Sequence, residues 1–461
     1  MRTVRGRGDE EGIAVPGNSE RKRQPARRTF SIFELIDALA TALDAINPAI
    51  DAHHKQVCYI AATIAEELGL PRPAYNDLFV AAYLHDIGSL PLAERMKILE
   101  FEMKSPHLHA EFGYNLLGKF PHINEAATLV RFHHVPWKYG EGHRFRDLPV
   151  PHLSHLIHLA DRIAVLYDRK VPVFAQVDGI RTTIAGFAGL QFDPEHVAAF
   201  NRVSDREVFW LDLSFGSLER TLRRMCHLPR VVVDLDELLD ISKFFALVVD
   251  CRSRFTATHS GGIAACAAEL GRLAGMSRSE CKMLKIAGYV HDIGKLAVPN
   301  TILEKDGSLT PEEWHVMRSH TYHTRNILGR VTGLEEITAW AAEHHETLDG
   351  KGYPLRLAEA NISLGSRIVA VSDIFTALSE DRPYRRGYEG AKIREIFGQH
   401  VAAGRLSREI VQLLFDHFDV LDEVRRRAQH EEQTQLADFW ETARNGSLTR
   451  LEDADAARAT A

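Results

Sequence analysis

Apolar residues recur every three to four positions along most of the chain, the spacing of helices that bury one face. Val57, Ile60, Ala61, Ile64 and Leu68 form one such stripe, and Ile263, Cys266, Ala267 and Leu270 form another. Thr310-Pro311-Glu312-Glu313 supplies a helix start, with Thr as N-cap, Pro in the first turn and Glu at the third position. Strand-type alternation is nearly absent; Val231–Val233 is the one suggestive run, and it is short. The pattern predicts an all-α chain. It fades at both ends. Residues 1–28 mix Arg, Gly, Glu and Pro and read as a disordered basic tail, and residues 429–461 read as a polar, Ala-rich tail or frayed helix.

The two stripes are one stripe, met twice. They stand 206 residues apart, and so do His53 and His259, and His85-Asp86 and His291-Asp292. After a five-residue insertion the offset becomes 211, relating His109 to His320 and His133-His134 to His344-His345. Asp161 and Asp373 are 212 apart, and Ala188-Gly189 and Ala403-Gly404 are 215 apart. A repeat of this size implies a duplicated domain, not a solenoid. The expected organisation is one unit over 29–215, a linker over 216–235, a second unit over 236–428 and the tail.

At 461 residues the chain is long enough for two or three domains. Its charge of −7 is small for that length, so composition suggests neither a nucleic-acid polymer nor a membrane surface as partner. The five cysteines (Cys58, Cys226, Cys251, Cys266 and Cys281) show no CxxC spacing and read as reduced thiols. With no apolar leader and no stretch long enough to span a membrane, the expectation is a soluble cytoplasmic protein.

Histidine changes the picture. Of 24 in the chain, each unit places five in one order together with two aspartates. Imidazoles and carboxylates in such a set suit divalent transition metals. A single histidine on an apolar helix face is usually a packed core residue; seven ligand-type residues recurring in register favour metal. Seven ligands exceed the needs of one ion. Neighbouring residues on a helix point about 100° apart, so Asp292 can bridge two ions while His291 binds one. Two ions about 3.5–4 Å apart activate water and clamp a phosphodiester, with no serine or cysteine nucleophile required.

In the second unit His291-Asp292-Ile293-Gly294-Lys295 precedes His344-His345-Glu346 and Asp349-Gly350-Lys351-Gly352-Tyr353-Pro354; Asp373, Ala377-Leu378 and Arg382-Pro383-Tyr384-Arg385 follow. This series resembles the signature of the bacterial HD-GYP family of cyclic di-GMP phosphodiesterases, over about 236–428. The resemblance implies two tandem HD-type helical bundles. It assigns one metal to His259, His291, Asp292 and Asp373, and a second to His320, His344, His345 and the bridging Asp292. It places Asp292 and Lys295 in the catalytic machinery and has Lys295, Arg382 and Arg385 hold the substrate phosphates. Gly352, Tyr353 and Pro354 shape the loop over the nucleotide. It also implies iron or manganese, cyclic di-GMP as substrate, and a linear dinucleotide or GMP as product. Phe255 stands where three-metal members carry Glu, which points to a binuclear centre. Glu346 is expected to orient a ligand histidine.

The first unit keeps the ligand set as a possible second metal site: His53, His85, Asp86, His109, His133, His134 and Asp161. It lacks the substrate parts. Ser89 replaces Lys295, and Val135-Pro136-Trp137-Lys138-Tyr139-Gly140 replaces the GYP loop. Regulation or scaffolding is expected of it ahead of independent catalysis. His155 and His158 share a helical face near Asp161 and are expected to pack. Rival readings of the whole chain are a phosphohydrolase for another cyclic dinucleotide and a receptor that binds one without turnover. A homodimer or a diguanylate cyclase is the possible protein partner.

Overall fold

The computed structural model describes residues 29–45, 52–89, 107–120, 123–216, 218–228, 232–250, 258–305, 307–381 and 386–444. Among these, four two-residue strands interrupt an otherwise helical chain. In the first unit the helices are α1 (Ile32–Asp44), α2 (His53–Glu67), α3 (Arg72–Leu84), α4 (His107–Leu117), α5 (Asn124–Arg131), α6 (His152–Leu166), α7 (Val173–Gly186), α8 (Pro194–Ser204), α9 (Glu207–Ser214) and α10 (Leu218–Met225). The second unit follows with α11 (Leu235–Asp250), α12 (His259–Leu273), α13 (Arg278–Val290), α14 (Asn300–Leu303), α15 (Pro311–Leu328), α16 (Glu335–Ala342), α17 (Leu364–Ser379), α18 (Gly390–Ala402), α19 (Arg408–Asp416) and α20 (Phe418–Arg444). The order repeats: α2 corresponds to α12, α3 to α13, α4 to α15, α5 to α16 and α6 to α17. The predicted cap of α15 is present, with the Thr310 hydroxyl and the Glu313 carboxylate exchanging backbone amides.

In each unit the first ligand-bearing helix (α2 or α12) packs on the next helix and on the one carrying the last aspartate. Both stripes read from the sequence lie inside; Val57, Ile60, Ile263 and Cys266 have no exposed surface. Most of the buried apolar residues of the two units form one continuous cluster, and Phe132, Val135 and Val150 form a small separate one. Phe30–Ser31 and Val232–Val233 pair as a short antiparallel ribbon, and Phe120 meets Phe244 edge-on with ring centroids 5.1 Å apart. Helix α1 packs on α2 and α3 and equally on α15 of the second unit. On its polar side Glu34 accepts the Thr332 amide at 2.9 Å, and Asp37 takes Arg330 at 3.1 Å and the Tyr83 hydroxyl at 2.6 Å.

Two segments differ from the sequence reading. The expected linker holds α10 and the second strand of the ribbon, so it is built into the join between units. The expected tail begins inside α20, which continues unbroken through position 428 to Arg444. Most of its last turns are polar, which is why the pattern looked like a tail. Tertiary packing holds it: Phe439 is buried, and Phe112 of α4 meets Phe439 and Trp440 at centroid distances of 5.1 and 4.5 Å. Residues 1–28 and 445–461 lie outside the described residues, as does Phe255.

Candidate metal centres

Each unit gathers most of its histidines at helix ends; His320 lies within α15. His53 and His259 open α2 and α12; His85 and His291 cap the C-termini of α3 and α13. His133-His134 and His344-His345 follow α5 and α16 just beyond the last turn. Asp161 and Asp373 sit within α6 and α17. One local device aims most of the rings. His291 donates Nδ1–H to the carbonyl three residues back (Gly288, 2.8 Å), as do His320 to Met317 (2.7 Å) and His344 to Ala341 (2.6 Å). In the first unit His85 does so to Ala82 (3.0 Å) and His133 to Val130 (2.6 Å). A carbonyl can only accept, so the bond fixes the tautomer and leaves the Nε2 lone pair facing inward.

All seven ligand-type residues of the second unit come together. Ligand atoms of His259, His291 and Asp373 lie within 4.8 Å of one another, and so do those of His320, His344 and His345. Asp292 stands between the groups, Oδ2 3.0 Å from His291 Nε2 and Oδ1 3.5 Å from His320 Nε2. The first unit does the same: His53, His85 and Asp86 form one group, and Asp86, His109, His133 and His134 the other. Asp161 Oδ1 lies 3.2 Å from His53 Nε2.

The donor sets fit metal ions. Nε2 atoms of His85, His133 and His291 are buried and no hydrogen bond closes on them, although Asp86 or Asp292 oxygens lie 3.0–3.6 Å away. A buried imidazole lone pair without a donor is costly unless a cation takes it. Electrostatics agree. Burial and the neighbouring His345 lower His320 to about 3, despite Asp292, so it stays neutral and ligand-ready. Burial would raise Asp292, but His291 and Lys295 outweigh it and hold the carboxylate well below its usual range. Burial would lower His259, but Glu380 and Asp373 outweigh it and push it up to about 10; Glu380 Oε2 lies 3.1 Å from Nδ1 and Asp373 Oδ1 3.2 Å from Nε2.

Beside the second centre Lys295 bonds Asp292 at 2.5 Å. Tyr353 lies over His345, centroids 4.8 Å apart, with the Arg318 guanidinium 4.3 Å from its ring centroid. Gly352 has no room for a side chain: a Cβ there would fall 2.4 Å from the Thr347 nitrogen. Pro354 follows Tyr353 through a cis bond. Glu346 contradicts its expected role. Instead of touching a histidine, its carboxylate accepts the amides of Leu355 (2.6 Å), Arg356 (3.1 Å) and Leu357 (2.9 Å), pinning the chain just past Pro354. The reason is direction: His291, His320 and His344 already spend Nδ1 on local carbonyls and His259 on Glu380, while three successive amides turn toward the buried carboxylate. Gly294 is required by close packing. A Cβ on it would meet the His320 carbonyl oxygen at 1.9 Å, and Gly88 faces His109 in the same way at 2.0 Å. Arg382 and Arg385 lie outside the described residues.

Sequence reasoning missed Arg162. Fully buried, it bonds Asp161 Oδ2 at 2.6 Å, where the second unit has Ile374. Ser89 removes a cation beside Asp86 and Arg162 restores one beside Asp161, so charge is rebalanced within the first centre. Glu380 was also missed; nothing in its spacing distinguishes it from a solvated helix-end charge.

Family comparisons agree with this geometry. Residues 50–166 match an HD-domain model and residues 235–395 match a second HD-domain model. The chain is a tandem HD-domain protein. Its relatives are cyclic dinucleotide phosphodiesterases. 3'3'-cGAMP-specific phosphodiesterase 1 of Vibrio cholerae is 29% identical over 386 residues, covering 82% of this chain and 89% of that one. 3'3'-cGAMP-specific phosphodiesterase 3 of the same organism is 27% identical over 412 residues, covering 78% and 89%. A cyclic di-GMP phosphodiesterase of Pseudomonas aeruginosa is 36% identical over 142 residues, covering 30% of this chain and 34% of that one. The crystal structure of a cyclic GMP-AMP-specific phosphodiesterase of V. cholerae shares the fold, with a TM-score of 0.60 and 23% identity, covering 85% of this chain and 98% of that one. Among the described residues no helix is long and apolar enough to cross a membrane.

Proposed function

We propose that the chain is a metal-dependent phosphodiesterase that opens a purine cyclic dinucleotide at its second unit. The observation that carries this reading is the pair of ligand groups sharing Asp292, with Lys295 and the Gly352–Pro354 loop placed around them. His259, His291, Asp292 and Asp373 would hold one ion; His320, His344, His345 and Asp292 the other. Two divalent ions there would supply activated water and neutralise charge on the phosphoryl group. Iron and manganese are the candidates that the HD-GYP resemblance implies, and the imidazole–carboxylate set suits divalent transition ions in general.

The chain's own groups do the rest. Asp292 is held ionised and stands between the two ligand groups, where it would be shared by the ions they hold. Lys295 is a compact charge that can leave Asp292 for a substrate phosphate once cations satisfy the carboxylate. Tyr353 offers a ring face beside His345 for a base or ribose, and Glu346 keeps that loop in place. Arg382 and Arg385 would grip the second phosphate.

Two substrates fit this chemistry, since 3'3'-cGAMP and cyclic di-GMP present the same pair of phosphodiesters. The relatives aligned over most of the tandem chain carry 3'3'-cGAMP in their names, whereas the P. aeruginosa cyclic di-GMP relative aligns over less than a third of it. This favours 3'3'-cGAMP. The first unit, with metal ligands but no lysine or GYP loop, is proposed to regulate or brace the second. Both dinucleotides offered in one reaction to the protein loaded anaerobically with iron(II) or manganese(II) test the choice. Preferential loss of 3'3'-cGAMP to a linear product supports it; preferential loss of cyclic di-GMP reverses it, and binding of either without product makes the chain a receptor.

A further inference from the structure

The first unit lacks both the GYP loop and the glutamate that holds it, so something else must fix the chain after His133-His134. Part of the answer is backbone: Trp137, Lys138 and Tyr139 donate their amides to the carbonyls of Gln191 (3.0 Å), Leu190 (2.8 Å) and Gly189 (2.6 Å). This strap ends directly beside a third cluster of metal-type ligands. His152 is the first residue of α6, Asp193 is the N-cap of α8, and His196 lies in the first turn of α8. Ligand atoms of the three fall within 4.8 Å of one another.

We propose that His152, Asp193 and His196 form a third metal site that takes a divalent transition ion of the zinc class. Two imidazoles and one carboxylate are a sufficient protein set for such an ion, with one position left to water. His152 Nε2 stands 2.5 Å from Asp193 Oδ2, and the two imidazole rings lie 4.7 Å apart. Asp193 divides its work, with Oδ1 accepting the Glu195 amide at 2.8 Å and Oδ2 facing the cluster. His196 supplies the independent observation. It is only 2% exposed, yet its Nδ1 has no hydrogen-bond partner, an arrangement that a cation would relieve. His152 is half exposed and leaves the solvent side open.

At the matching positions the second unit carries no such set. Its α19 opens with Ser407 as N-cap and carries Ile410 three residues on, and Leu364 stands where α6 has His152. The site therefore accompanies the replaced loop. Trp137 packs against His152 with centroids 5.6 Å apart, and the bound ion ties the start of α6, which also carries Asp161, to α8 and the strap. Its role is to brace the mouth of the first HD centre.

The test counts zinc in metal-stripped full-length protein, retitrated and desalted, by elemental mass spectrometry. His152→Ala removes a half-exposed ring, and Asp193→Asn keeps the oxygen that caps Glu195, so both variants retain the fold, checked by circular dichroism. Each is expected to hold one zinc equivalent fewer than wild type, and the zinc-dependent change in tryptophan emission is expected to vanish in Trp137→Phe. A wild-type zinc count in either ligand variant overturns the proposal and leaves a carboxylate–imidazole hydrogen bond in its place.

Discussion

Glu346→Ala removes one carboxylate that accepts three successive backbone amides at 2.6–3.1 Å from a position 4% exposed. Hydrogen bonds to an ionised acceptor are worth about 1.5–3 kcal/mol each. Their simple sum overstates the loss, because the freed amides reach water when the loop lifts. Discounted for that, about 2–3 kcal/mol of loop-closing free energy disappears. At 1.4 kcal/mol per factor of ten, the ratio of seated to lifted loop falls about 30- to 150-fold. The expected outcome is a fall of up to that size in kcat/KM for cyclic dinucleotide hydrolysis, with metal content unchanged. Glu346→Gln, which keeps one carbonyl acceptor, falls less. Steady-state kinetics beside elemental analysis of each variant are the assay. A Glu346→Ala protein that loses metal while any remaining loaded fraction turns over normally would refute the reasoning and return Glu346 to a histidine-orienting role.

Other perturbations probe the frame around the centres. Gly294→Ala places a methyl 1.9 Å from the His320 carbonyl position; displacing α15 is expected to cost about 1–3 kcal/mol and lower metal occupancy, read from melting temperature and metal content. Phe439→Ala removes a buried ring packed on Phe112 and is expected to destabilise the protein by about 3 kcal/mol, seen as a lower urea midpoint. Arg330→Ala leaves the fully buried Asp37 without its guanidinium partner across the units, for a loss of about 2–3 kcal/mol in the same titration. Chelation should lower the melting temperature, since ions at a hundredfold excess over Kd stabilise the folded state by about 2.7 kcal/mol; an unchanged melt would count against both HD centres.

Much of the candidate site was legible because it is built locally. A histidine whose Nδ1 reaches the carbonyl three residues back needs only its own turn to aim inward, so order and spacing carried His85, His133, His291, His320 and His344 into view. Duplication repeated the signal. What escaped depends on partners distant in sequence. Arg162 is one of many arginines until Asp161 is seen to meet it in a dry interior. Glu346 sits beside a histidine, yet its bonds run to residues nine to eleven positions on. Helix α1 looked like part of the first unit and also packs on the second, while α20 looked polar because only a few residues, Phe439 among them, reach the core. The His152–Asp193–His196 cluster brings His152 to a pair that begins 41 positions on, and it had no counterpart in the repeat to announce it.

The measurement closest to the central claim compares Asp292→Ala with Asp86→Ala, the same position in the two units, on 3'3'-cGAMP and cyclic di-GMP under anaerobic iron(II) or manganese(II) loading. The account predicts linear product from wild type and from Asp86→Ala, at a rate the first unit modulates, and none from Asp292→Ala. Turnover that survives in Asp292→Ala and disappears in Asp86→Ala would move the chemistry to the first unit and contradict the account.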